Sequence, residues 1–289
     1  MTIAPAKPPL LIATCWTTAG DVRADQADNL GRFALADRIE AAARAGYQGF
    51  RFWLGDLLAW RAAGQDYPAL RRRLRDAGMA VVELEFLTDW FATGERRNRS
   101  DAARAALFEA ADALGVRHLK VMPPFLSDDP AGTALSQQFA ALCAEAAGHG
   151  LSIGMEMLPF SALPNLSRSL AMVQAADAAN GGLLIDIWHV MRSGGDVTEV
   201  ASVPARFIVS VELCDALLTQ EGTLGEDTMR RRRLCGAGEF DIPGFIAALD
   251  HAGYDGPFGV EILADDFRTL RLDDACRRSF ETTAAQFLQ

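Results

Sequence analysis

A rhythm constrains this chain more than any single motif: short apolar runs alternate with amphipathic stretches of helical period, eight times along 289 residues. The runs at 10–15, 49–53, 80–87, 118–122, 152–158, 183–188, 207–213 and 258–263 have the length and composition of strands. Between them the sequence predicts helices over 33–45, 67–77, 101–114, 136–148, 167–178 and 242–252, with 273–287 closing the series. Gly46, Gly78, Gly115, Gly150 and Gly253 stand just before strands, where helices end. Eight βα units imply parallel strands, and eight is the number that closes a (β/α)8 barrel, here expected as one domain over 1–289. The sixth helix is the weak member, because 198–203 is short and stops at Pro204. An open doubly wound sheet competes, but no GxGxxG or Walker glycine loop follows the first strand.

Half of the residues are apolar, ample for one large core. No apolar run approaches the roughly 18 residues that a bilayer span needs. The opening stretch 1–11 lacks an apolar segment before a small-residue cleavage site, so a cytoplasmic protein is expected, with no membrane partner. Cys15, Cys143, Cys214, Cys235 and Cys276 are odd in number and scattered, which fits reduced thiols rather than a disulfide framework. The formal net charge of −10 argues against a duplex nucleic-acid partner, which would need a basic footprint.

Strand parity discriminates further, since alternate side chains face opposite sides. Val82, Leu84 and Phe86 suit the helix layer, which turns Glu83 and Glu85 into the barrel. The same logic turns Arg51 and Trp53, then His118 and Lys120, inward. In the later strands Glu156 lies opposite Met155 and Met157, Asp186 opposite Ile185 and Ile187, Glu212 opposite Val211 and Leu213, and Glu261 opposite Val260 and Ile262. Four successive strands thus aim one acid inward near the C-terminal end, where barrel enzymes build their sites. A lone acid there is more often a salt-bridge partner; four in register need a cation. Buried carboxylates cost several kcal/mol each unless they are neutralised. One divalent ion is expected, Mn2+ or Mg2+ for oxygen ligands, with Co2+ or Zn2+ open because of His189. Glu83 and His118 lie deeper and read as structural; His149 and His251 read as exposed helix-end residues. Of the run Arg230–Arg233, Arg233 is expected to reach over the mouth to substrate, helped by the glycines that follow. Glu85, Trp53, Arg51 and Trp16 complete the expected substrate contacts. Cys214 shares the parity of Glu212, with nothing to mark it as a nucleophile.

At Gly154-Met155-Glu156, at Asn180 through Asp186 to His189, at Val211–Asp215, at Gly236–Phe240, at Gly253–Pro257 and at Gly259-Val260-Glu261 the chain resembles the xylose-isomerase-like barrels, the sugar phosphate isomerases and epimerases. The resemblance implies metal ligands at Glu156, Asp186, Glu212 and Glu261 and a substrate-facing histidine at His189. It also implies a homo-oligomer, since such barrels are often dimers or tetramers. Two positions depart from the pattern. Glu212 stands where the family usually has a neutral His or Gln, so either the metal is bound more tightly by charge or one carboxyl stays protonated as an acid. Arg51 stands on the second strand where relatives often carry Glu.

The reading that leads is a metal-dependent isomerase or epimerase of a keto-sugar or cyclitol. Glu156 or Glu261 removes the proton α to the carbonyl, and Lys120 and Arg233 offset the charge developing on oxygen. A lyase or dehydratase, resembling the dehydroshikimate and inosose dehydratases, uses the same enolate and is the close alternative. A zinc nuclease would need more histidines than the four present, and a non-catalytic sugar-binding barrel would be expected to lose one of the four acids. A small sugar, cyclitol or related keto-polyol is the expected partner.

Overall fold

The structure of the protein, a computed structural model, describes residues 9–125 and 132–288; the opening residues 1–8 and the question of a leader lie outside them. Eight parallel strands close into a barrel in chain order: β1 (Leu11–Ala13), β2 (Gly49–Phe52), β3 (Val81–Leu87), β4 (His118–Val121), β5 (Ser152–Glu156), β6 (Gly181–Asp186), β7 (Ile208–Leu213) and β8 (Phe258–Val260). The seam is shut by Leu11, Ile12 and Ala13 of β1 against Phe258, Gly259 and Val260 of β8. The helices form the outer layer: α1 (Cys15–Thr18), α2 (Leu35–Ala45), α3 (Leu54–Ala62), α4 (Tyr67–Asp76), α5 (Gly94–Leu114), α6 (Gly132–Ala147), α7 (Leu166–Ala176), α8 (Ile187–Arg192), α9 (Leu224–Arg230), α10 (Ile242–Ala252) and α11 (Leu272–Ala284). The outward strand residues Leu84, Leu119, Ile153, Met155, Ile185 and Val211 are fully buried under them, and this sheet–helix interface is the main core. No helix among the described residues is long and apolar enough to cross a membrane.

The barrel interior departs from the branched aliphatic filling such folds use. Arg51, Glu83, Glu85, His118, Lys120, Ser210 and Glu212 are all buried there. Two inward glycines make the room. A Cβ at Gly154 would lie 2.4 Å from Nε2 of His118, and one at Gly259 would lie 3.1 Å from Cγ of Glu212 and 3.2 Å from Nη2 of Arg51.

Four helices escaped the sequence reading: α1, α3, α8 and α9. The four-residue α1 is buried on all sides and α3 buries only Asp56 and Leu57, so neither shows an apolar stripe. For α9 a signal existed, the capping box of Thr223 with Glu226. α5 starts at Gly94 rather than 101, because its first residues (GERRNRS) carry no apolar period. The sixth strand also ends earlier than expected. Asp186 accepts a hydrogen bond from the Trp188 backbone N–H at 2.7 Å and caps α8, so Ile187 and Trp188 are helical rather than extended. The sixth connection is thus α8 followed by a 3-10 turn, Val197–Ser202. His189 stands on the first turn of that helix, not on a strand end.

Candidate active site and metal centre

Strand parity brings the acids together at the C-terminal mouth. Glu156, Asp186 and His189 each offer a ligand atom within 4.8 Å of the others, and Glu85, Glu212 and Glu261 do the same. The four expected metal ligands therefore fall into two adjoining clusters. Two cations staple the clusters together. Nζ of Lys120 lies 3.1 Å from Glu156 in the first, and 2.7, 3.1 and 3.6 Å from Glu85, Glu212 and Glu261 in the second. Nη1 of Arg232 lies 2.7 Å from Asp186 and 3.1 Å from Glu261. Nε2 of His189 faces Glu156 at 3.5 Å and Asp186 at 3.7 Å.

Below the mouth a second layer follows. Arg51 donates to Glu83 through both Nε (2.9 Å) and Nη2 (2.5 Å), donates to Ser210, and pairs with Glu212. Nδ1 of His118 lies 3.4 Å from Glu83. Burial works against the charge on Glu83, but Arg51 and His118 outweigh it and hold the carboxyl down to about 2. Burial likewise opposes ionisation of Glu156, and there Lys120 and His189 hold the carboxyl well below the usual carboxylate range. Glu85 goes the other way: burial, aided by the Glu261 charge, outweighs Lys120 and Arg51 and pushes it up. For Lys120 burial disfavours the ammonium, yet Glu156, Glu261 and Glu85 keep it firmly charged.

Six buried carboxylates (Glu83, Glu85, Glu156, Asp186, Glu212, Glu261) thus meet three fixed cations (Arg51, Lys120, Arg232). The excess negative charge, all on oxygen donors with one imidazole beside them, fits a hard divalent ion.

A cavity of about 430 Å³ opens onto this site, walled by Trp16, Glu85, Lys120, Glu156, His189, Arg232 and Glu261 and rimmed by Phe86, Phe125, Phe160 and Leu263. Trp16 and Glu85 accordingly stand where a substrate contact was expected. Three other expected contacts do not. Arg51 is fully buried beneath the acids and does not line the cavity, because Glu83 and Glu212 hold it in the barrel. Trp53 packs between Trp16 and Phe86, at ring separations of 5.7 and 5.1 Å, behind the cavity wall. Arg233 does not line this cavity and pairs with Glu221, while Arg232 is buried and lines it.

The swap has a backbone cause. Asp215, just past β7, makes an antiparallel bridge with Arg233, and Ala264 makes one with Arg231, so alternation aims Arg232 at the acids. The Asp215 carboxylate fixes this return by accepting from the backbone N–H groups of Ala216, Gly236, Gly238 and Phe240 at 2.8 to 3.0 Å. Asp227 also went unread: it accepts from Nε1 of Trp188 at 2.9 Å and Nε of Arg192 at 2.7 Å, locking α8 and so His189. His118 and Glu83 lie in the lower layer. His149 is half-buried beside Asp112, and His251 is exposed. Cys214 is fully buried, with Nη1 of Arg232 3.6 Å from its sulfur, and burial pushes its thiol up.

Residues 39–284 match the family model described as the xylose isomerase-like TIM barrel. A 3-dehydroshikimate dehydratase of Pseudomonas aeruginosa is 30% identical over 239 residues, covering 81% of this chain and 37% of its own, so the chain spans little more than a third of that relative. An inosose isomerase of Halalkalibacterium halodurans is 20% identical over 183 residues, covering 61% of this chain and 64% of its own. Among solved structures, an IolI protein with a binding zinc atom superposes with a TM-score of 0.81 at 17% identity, covering 96% of this chain and 97% of that one. With a closed eight-stranded barrel and a family match over most of its length, the chain belongs to the xylose isomerase-like TIM barrel family.

Proposed function

We propose that the chain is a metal-dependent lyase that removes water from a cyclic keto-polyol of the dehydroshikimate type. The observation that carries this reading is the convergence of Glu156, Glu261, His189, Lys120 and Arg232 on one cavity, with Asp186 buried beside Glu156, His189 and Arg232. Glu156, Asp186 and Glu261 would hold the ion, which when bound supplies Lewis-acid polarisation of a substrate carbonyl. His189 takes the proton α to the carbonyl, and the adjacent carboxylates of Glu156 and Asp186 steady the imidazolium that results. Lys120 and Arg232 offset the negative charge that moves onto the carbonyl oxygen. Glu85, whose carboxyl burial pushes up, keeps a proton more readily and gives it to the departing β-hydroxyl, which leaves as water. One C–H and one C–O bond break, and a C=C bond forms between the two carbons. The dehydratase relative, at 30% identity, favours elimination over the isomerisation named for the more distant inosose isomerase.

Incubation with 3-dehydroshikimate and Mn2+ tests this. Loss of one water from that substrate gives a dihydroxybenzoate, so a rise in aromatic ultraviolet absorbance that stops on chelation is expected. Exchange of the α-proton in D2O without any absorbance change would replace the lyase reading with an isomerase, and no exchange at all would remove the assignment of 3-dehydroshikimate as substrate.

A further inference from the structure

The alternation that aims Arg232 at the acids gives the same two bridged segments a second face. Glu261 and Leu263 border the catalytic cavity, whereas Ile262, Ala264, Arg231 and Arg233 border another, of about 520 Å³. Arg232 borders both, so the two cavities stand back to back on one wall. α9 adds Arg230 at its last residue, and α11 adds Arg278. Basic charge thus collects in one hollow of a chain whose net charge is −10. The acids that line it are engaged: Glu221 pairs with Arg233, Asp265 pairs with Arg268, and Asp266 accepts from the Phe267 backbone N–H at 2.8 Å. Arg230, Arg231 and Arg278 form no ion pair among the described residues, and Glu226 acts on the first two only at a distance. The floor beneath them is apolar, with Ile262 and Phe267 buried and Leu270 partly exposed.

We propose that this cavity is a second ligand site, for a small organic acid whose carboxylate meets Arg230, Arg231 and Arg278 and whose apolar body lies on Ile262 and Phe267. Three guanidiniums that line one hollow without acids of their own repel one another, and an anion between them relieves the repulsion. A guanidinium also presents paired N–H donors that match the two oxygens of a carboxylate. The volume falls within the range of small-molecule sites and exceeds what a bare inorganic anion fills. Covering the apolar floor adds affinity that an inorganic anion cannot gain. The choice of a carboxylate over a phosphate head rests on the dehydratase reading above, whose substrate and product are both ring carboxylates.

4-Iodobenzoate tests the proposal, because its iodine marks its place in a crystal and calorimetry reads its affinity. Iodine is expected in the arginine-lined cavity, and the neutral 4-iodobenzyl alcohol and inorganic phosphate should each bind at least about tenfold more weakly. Arg231→Ser/Arg278→Ser changes two exposed positions and should weaken 4-iodobenzoate at least about tenfold, the scale of one lost charge-assisted hydrogen bond. Arg71→Ser/Arg72→Ser removes the same charge from exposed positions on α4 and should change the affinity by less than about twofold, since salt screens charges outside the cavity. Iodine in the catalytic cavity alone, or equal losses in the two double variants, would overturn the site. Equally tight binding of the alcohol would overturn the role of the arginines. Phenyl phosphate or inorganic phosphate binding as tightly as 4-iodobenzoate would overturn the carboxylate class. Failure to turn over 3-dehydroshikimate bears on the dehydratase reading alone, because none of these measurements depends on turnover.

Discussion

Glu156→Gln is expected to lose bound metal and to lower kcat/KM for dehydration by about 10²–10³-fold while leaving the barrel folded. Glu156 stands at the junction of the site: it pairs with Lys120, faces His189, and lines the cavity. Losing one preorganised charged group from a catalytic site costs about 2.7–4 kcal/mol of transition-state stabilisation. At about 1.4 kcal/mol per tenfold, that sets the size of the rate loss. The amide keeps the shape and neutralises one acid where buried acids outnumber the fixed cations, so thermal unfolding stays within a few degrees. Metal content per chain, measured by elemental analysis beside turnover, separates the causes. Full metal content with intact turnover would mean that Glu156 neither ligates nor supports the base.

Arg51→Met is expected to be the most destabilising single change in the barrel. Arg51 is fully buried and bonds both Glu83 and Glu212, so its loss strands two carboxylates in the interior. Breaking a buried ion pair by removing one partner costs about 3–5 kcal/mol. For a chain of this size, each kcal/mol lowers the melting temperature by about 2–4 °C, so a fall of about 10 °C is expected. The pH dependence has a definite sign. Glu83 is held down to about 2 in the folded protein, so its pairing stabilises above the ordinary glutamate pKa and is lost as pH falls through the folded value. The wild type's advantage over Arg51→Met should therefore be full at neutral pH and shrink on acidification. An added Glu212→Gln should recover part of the loss. Equal melting temperatures for Arg51→Met and wild type at pH 7 would show that Arg51 does not compensate these acids.

Much of the barrel was readable because alternation leaves so few choices. Once Val82 and Leu84 are given to the helix layer, Glu83 and Glu85 have nowhere to go but inward, and both are buried in the barrel interior. Phe86, expected in the helix layer too, instead rims the cavity past the register shift between Leu84 and Leu87. The same reasoning placed Glu156, Asp186, Glu212, Lys120 and Arg51 in the interior. It did not reveal depth. Arg51 and Trp53 share a strand face with cavity residues, yet pairing with Glu83 sinks the first below the acids, and packing on Trp16 and Phe86 keeps the second behind the wall. Arg232 was missed for another reason. Its direction depends on two isolated bridges, at Asp215 and Ala264, that join segments distant in sequence. Four consecutive arginines carry no local signal to distinguish them. Asp215 and Asp227 were invisible likewise, since their partners are backbone N–H groups and side chains brought together by the loops after β6 and β7.

The most direct measurement is the anomalous scattering of Mn2+ in crystals grown with the ion. One peak is expected at the C-terminal mouth, with carboxylate oxygens of Glu156, Asp186 and Glu261 at about 2.0–2.6 Å, the range for hard divalent ions. A peak elsewhere on the chain, or none at saturating Mn2+, would contradict a shared cation at these acids and with it the proposed chemistry.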